Sequence, residues 1–139
     1  MPLNTEHLAR CILTLEKSLE LLQSAEAGSI QYEIYRNAVV KGFELTLETA
    51  GKLLKKALKP YFASNRAVDE LTFKDLFRSA AKHGLMSVEE VERWFAYRNN
   101  RNSTAHDYGI KFAEETLKLI SPFIEDAKRL EGAIREASD

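Results

Sequence analysis

Cysteine occurs once in the 139 residues, at Cys11. That excludes an internal disulfide framework and a cysteine zinc cluster. Glycine and proline are scarce, at six and three residues, too few for a disordered or loop-rich chain. The three histidines (His7, His83 and His106) stand far apart and form no metal-ligand pattern such as H-E-x-x-H. Neither a metal nor a cofactor is expected. No apolar run approaches the length of about 18 residues that a transmembrane helix needs. The first residues lack the basic and apolar regions of a secretory signal, so a cytoplasmic protein is expected. An excess of either charge is missing as well. The 20 basic and 21 acidic residues leave a formal net charge of -1. A chain-wide basic footprint for nucleic acid is thereby excluded, and any such site has to be local.

What remains is an ordinary globular mixture, 45% hydrophobic and 29% charged. The length suits a single domain over residues 1–139, which would bury about 68% of the unfolded chain's surface. The apolar residues fall at helical spacing. Leu8, Ile12, Leu15, Leu19 and Leu22 make one stripe, with Asn4 placed to cap its start. Tyr32, Tyr35, Val39, Phe43, Leu47, Ala50, Leu54 and Ala57 make a second, which predicts a helix from about Ser29 to Ala57 or Lys59, stopped by Pro60. Gly42 and Gly51 lie inside it, each costing about 1 kcal/mol relative to alanine. Close approach of another helix, or a kink, would explain them. Residues 61–71 read as a connector. Thr72-Phe-Lys-Asp75 and Ser87-Val-Glu-Glu90 are capping boxes that open two shorter helices. The first closes at His83 and Gly84; the second carries Val88, Val91, Trp94 and Phe95 on one face, with Trp94 and Phe95 as expected core. A last stripe runs from Ile110 to about Glu136, and Pro122 should kink or split it. Cys11 is expected to be buried and inert. No alternating β-branched run appears. The fold class is all-α, an antiparallel bundle of four to five helices, three long and two shorter.

The stretch Tyr97-Arg98-Asn99-Asn100-Arg101-Asn102-Ser103-Thr104-Ala105-His106-Asp107-Tyr108-Gly109 breaks this regularity. Its Asn, Ser and Thr side chains compete for backbone groups and disfavour helix, yet it lies between two periodic segments. Local conflicts of this kind concentrate at functional sites. Arg101 and His106 are five residues apart, about 140° around an ideal helix. They converge only if the helix breaks, for which Asn102, Ser103 and Thr104 are placed, or if two chains bring their copies together. Converged, they suit phosphodiester chemistry. A guanidinium offers a planar fork to two phosphate oxygens, and an imidazole with a pKa of about 6.5 moves protons near neutrality. A structural reading stays open beside this, with the polar residues capping helix ends and the arginines solvated or paired.

Arg101-Asn102-Ser-Thr-Ala-His106-Asp-Tyr108 resembles the R-x4-H-x-Y signature of the HEPN superfamily, and within it the nucleotidyltransferase substrate-binding family. A second stretch, from Val39 through Phe43, Glu44, Glu48, Ala50 and Lys52 to Lys55, is similar to that family's long second helix. The turn Ala80-Ala-Lys-His-Gly84-Leu85 fits too, and the likeness spans Leu8 to about Leu130. Two departures stand out: many relatives carry an aromatic where Gly51 stands, and Asp where Asn100 precedes the arginine. The resemblance implies a homodimer in which two R-x4-H motifs face one cleft. It also implies metal-independent ribonuclease activity, with His106 assisting proton transfer and Arg101 holding phosphate. Asn102 and Arg98 would contact RNA or a nucleotide substrate. The implied partner is a minimal nucleotidyltransferase, since the Gly-Ser and spaced aspartates of that enzyme are absent from this chain. The resemblance also implies that Tyr108 accepts AMP from it; a phenol with a pKa of about 10 is poorly suited to act instead as a catalytic acid at neutral pH. The alternative within the same family is a non-catalytic subunit that presents substrate to the nucleotidyltransferase.

Overall fold

Four long helices and two short ones make up the chain in a computed structural model that describes residues 3–104 and 110–138, with side chains for 3–101 and 114–138. Helix α1 spans Glu6–Ser24 and α2 spans Ile30–Leu58. The turn between them uses Gly28 at φ +84°, a left-handed conformation in which a Cβ is strained. Ser29 caps α2 by accepting the Tyr32 N–H at 3.1 Å. Asn4 likewise accepts the Glu6 N–H at 2.8 Å. A 3₁₀ turn containing Pro60 ends α2. The stretch expected as a bare connector holds a further short helix, α3 (Asn65–Asp69), capped by Ser64. Burial of Val68 against the bundle accounts for that extra turn.

Helix α4 spans Phe73–Lys82, α5 Val88–Thr104 and α6 Ile110–Ala137. Thr72 accepts the Asp75 N–H at 3.1 Å. Ser87 and Glu90 complete the reciprocal box, at 3.1 Å and 3.3 Å. The expected split at Pro122 does not occur, and α6 runs through it. The proline faces outward between buried Ile120 and Phe123, so packing on both sides holds the helix together. No strand is present among the described residues.

Helix α2 packs against all five other helices. Its hairpin with α1 closes tightly at Gly42, where an added Cβ would lie 3.2 Å from the Leu15 side chain. On another face of α2 at the same level, aromatic rings tie four helices together. Phe43 of α2 and Phe123 of α6 meet edge to face at 4.8 Å, Trp94 of α5 lies 5.5 Å from Phe123, and Phe77 of α4 stacks on Trp94 at 5.0 Å. Such ring pairs each add about 0.5–1.5 kcal/mol beyond area burial. Phe95 departs from the expected core position. It is half-buried beneath the cations of Lys74 and Arg78, a lid of charge over its ring face. Cys11 is partly exposed rather than buried, its sulfur 3.8 Å from the Thr49 hydroxyl.

The deepest polar feature joins α5 to α6. Asp126, 1% exposed, accepts two bonds from the Arg93 guanidinium, at 2.8 and 2.9 Å. It also accepts the Tyr97 hydroxyl at 2.6 Å and Arg129 at 2.8 Å. Burial alone would push the Asp126 carboxyl up, but the bonds from Arg93 and Tyr97 and the nearby guanidinium charges outweigh it and hold it below the usual carboxylate range. Burial and the bond to Asp126 push the Tyr97 phenol upward. Both partners therefore stay locked in their bonding forms across neutral pH. Asp126→Ala should cost about 3 kcal/mol in urea unfolding, since it strands a buried hydroxyl and a guanidinium. The pH dependence is also set. The depressed Asp126 contributes stability above about pH 4 that is lost as pH falls through its folded value. The raised Tyr97 contributes stability below about pH 10 that is lost as pH climbs further. Unfolding midpoints against pH should show both limbs in the wild type; Asp126→Ala should lose the acid limb and keep the part of the alkaline limb that burial of Tyr97 supplies.

Candidate functional site

Helix α5 presents two stripes one residue out of step. Arg93, Tyr97 and Asn100, at i, i+4 and i+7, face α6. The first two bond Asp126, and Asn100 accepts the hydroxyl of buried Thr116 at 3.0 Å. Trp94, Arg98 and Arg101 follow the same spacing one residue on. Because Trp94 stacks on Phe77 of α4, this second stripe turns toward α4 and α2. The bonds to α6 thus fix the rotation of α5, and that rotation sends both arginines to the same side.

There they line a cleft of about 380 Å³ between α2, α4 and α5. Arg98 holds its guanidinium 4.8 Å from the centre of the Phe73 ring, a contact that orients the cation. Arg101 is half-buried in the last turn of α5. Lys52 and Lys55, one turn apart on α2, line the opposite wall. Lys52 reaches Glu48 at 3.2 Å, an exposed pair that contributes little. Four cations thus meet one carboxylate among the described lining residues, in a chain whose net charge is -1. The floor is apolar, with Leu47, Leu71 and Leu76. Gly51 belongs to this floor rather than to a helix contact. An added Cβ there meets no described atom within 4 Å, so among the described residues the close approach that was one of two expected reasons for these glycines holds at Gly42 alone.

Of the residues singled out in the sequence, Arg98 and Arg101 line one cleft within a single chain, whereas the expected cleft lay between two copies. The break expected at Asn102, Ser103 and Thr104 is absent from the backbone, since α5 continues to Thr104. The Asn102 side chain, His106 and Tyr108 lie outside the described residues. Lys55 and Phe73 were not identified as site residues. A pair of cations one turn apart on an otherwise amphipathic helix was the available signal for the α2 wall. Asp126 was missed too, although an acid inside the stripe Phe123, Ala127, Leu130 marks a buried charge. Among the described residues no group of three His, Cys, Asp or Glu side chains could hold a metal ion. No helix among them is long and apolar enough to cross a membrane.

An all-helical bundle with an arginine-lined cleft at the end of α5 defines a recognisable class. The chain belongs to the nucleotidyltransferase substrate binding protein like family, which matches residues 3–136, and so to the HEPN-type proteins. It is similar to Probable ribonuclease HepT of Haemophilus influenzae, at 25% identity over 96% of this chain and 93% of that one. A solved Haemophilus influenzae structure described as the fold of a substrate binding domain of a nucleotidyltransferase superposes with a TM-score of 0.82. Identity is 23%, covering 95% of this chain and 99% of that one. A tri-AMPylated Shewanella oneidensis HEPN toxin, solved in complex with an MNT antitoxin, shares the fold at a TM-score of 0.63. Identity is 15%, with 93% of this chain and 96% of that one covered.

The bond from Thr116 to Asn100 ties α5 to α6 one residue before Arg101. Thr116→Val keeps the shape and removes the donor, so it should cost about 1 kcal/mol in denaturant unfolding. A fall well below that would show the tie to be dispensable.

Proposed function

We propose that this chain is the HEPN subunit of a two-component nucleotidyltransferase module and acts as a metal-independent ribonuclease toxin. The observation that carries this reading is the convergence of Arg98 and Arg101 on one basic cleft in a chain of net charge -1. A cleft of that sign recruits and holds phosphodiesters. The family membership and the likeness to the Haemophilus influenzae protein named as a ribonuclease support it. In the proposed reaction the RNA 2′-oxygen attacks the adjacent phosphorus. The new O2′–P bond replaces the P–O5′ bond, leaving a 2′,3′-cyclic phosphate and a 5′-hydroxyl. His106 takes the 2′-hydroxyl proton or supplies one to the departing 5′-oxygen. Arg101 binds the phosphate oxygens as negative charge grows on them, while Asn102 and Arg98 hold the strand. Two copies of the chain form the working unit, so that two R-x4-H motifs share one cleft. The module works in the cytoplasm, on a single folded domain over residues 1–139.

Regulation falls to Tyr108. The partner nucleotidyltransferase transfers AMP from ATP to the phenol oxygen, releasing pyrophosphate, and each later AMP is joined to a ribose hydroxyl of the one before, again with loss of pyrophosphate. Each added nucleotide brings a phosphate that competes for Arg101 and bulk that obstructs RNA. The Shewanella oneidensis toxin, AMPylated and bound to its MNT antitoxin, supports this part. A second reading, a substrate-presenting subunit without catalysis, is favoured by the Haemophilus influenzae structure described as a substrate binding domain.

Arg101→Ala and His106→Ala should each abolish cleavage of single-stranded RNA, with melting temperatures close to wild type. Cleavage should survive a chelator and leave cyclic phosphate ends. An intact wild type that cleaves no RNA would select the substrate-presenting reading. Incubation with the partner nucleotidyltransferase, ATP and magnesium should add mass in steps of AMP to the wild type. Tyr108→Phe should stay folded, keep cleaving and gain no mass; modification of that variant would place the acceptor elsewhere.

A further inference from the structure

Gly51 sits inside a 29-residue helix, two turns before its end, where glycine weakens helix and is retained only for a reason. No described residue supplies that reason, because a Cβ at this position would meet no described atom within 4 Å. Its φ is not in the left-handed region either. The missing side chain instead opens the floor of the cleft. Around that opening the chemistry is divided in two. Leu47, Leu71 and Leu76 give an apolar bed, and Lys52, Lys55, Arg98 and Arg101 give a cationic rim. A flat apolar body with a phosphate at its edge is the ligand that satisfies both. The cleft volume of about 380 Å³ lies within the range of small-ligand pockets. The Arg98 guanidinium already lies over the Phe73 ring, and its outer face is a further stacking surface for a base.

We infer that the opening over Gly51 is a nucleotide subsite for the RNA strand. It takes the base next to the phosphate held at Arg101, while Lys55 and Lys52 hold the following phosphate along α2. This rests on the proposal that Arg101 works on RNA, and it adds a binding role for α2. Selection of the cleaved step then depends on the base that fits above Gly51. The subsite commits to a base within a strand rather than to a free mononucleotide, because the cations line both walls of the cleft and so suit successive phosphates.

The test uses the full chain and a short single-stranded RNA with every 2′-hydroxyl methylated, which removes the nucleophile so that binding is read without cleavage. Gly51→Phe fills the opening and should weaken binding by about tenfold or more, the loss of one stacked base. Gly51→Ala adds a methyl to open space and should bind within about threefold of wild type, with an equal or higher melting temperature. Lys55→Gln should lower the salt dependence of log Kd by about 0.7, the slope for one single-strand phosphate. If Gly51→Phe fails to fold, the Lys55→Gln slope decides, and an unchanged slope overturns the subsite. Binding by a folded Gly51→Phe equal to wild type also overturns it, as does displacement of the oligonucleotide by micromolar AMP. Cleavage of unmodified RNA separates the two claims. A wild type that binds the probe through Gly51 and Lys55 but cuts nothing removes the ribonuclease reading and keeps the subsite. Normal cutting by folded Gly51→Phe with unaltered choice of step does the reverse.

Discussion

A carboxylate buried between two helices governs how the rest of this bundle is arranged. Asp126 is 1% exposed yet ionised, held by Arg93, Tyr97 and Arg129. An ion in that position is tolerated only when its oxygens are saturated with donors. Apolar packing between α5 and α6 would permit a range of rotations with little change in energy. The bidentate bond from Arg93 and the short bond from Tyr97 permit one. Stability is therefore the smaller part of what the network supplies; orientation is the larger. With the 93, 97 and 100 stripe turned to α6, the 94, 98 and 101 stripe must face α4 and α2.

That single rotation explains a charge distribution that composition hides. The net charge is -1, and several exposed cations pair with acids on their own helix, such as Lys17 with Glu20 and Arg66 with Glu70. Such pairs leave little far field. The cleft differs because its cations come from two helices that meet across a gap, with Glu48 the one carboxylate among the described lining residues. Charges lining a concave, apolar-floored site act in a lower effective dielectric than the same charges on a convex surface. The two interior glycines of α2 divide along the same line. Gly42 lets α1 approach and so belongs to the scaffold, whereas Gly51 leaves space in the site.

Helix content was legible in the sequence because it depends on spacing and short-range chemistry. The stripes from Leu8 to Leu22 and from Val39 to Leu54 are buried as their period requires. Ser29, Thr72, Ser87 and Glu90 cap through bonds that reach three residues along the chain. Where local reasoning failed, a tertiary contact overruled it. Val68 found a buried site and drew a helix out of a connector. Packing on both sides of Pro122 carried α6 through a residue that breaks isolated helices. Phe95 kept one face outside because cations from α4 cover it.

By itself the sequence determined the all-α class, the order of the major helices and the family, and it marked Arg98 and Arg101 as unusual, since each of these is carried by residues close together along the chain. The tertiary structure alone decided that Asp126 is the anchor, since its donors lie 29 and 33 residues away on another helix. It alone joined Lys52 and Lys55 to the arginines, because no local pattern records which faces of α2 and α5 will meet. The sense of a helix face is set by what packs against its opposite side, and that information exists only once the long-range bonds between α5 and α6 have formed.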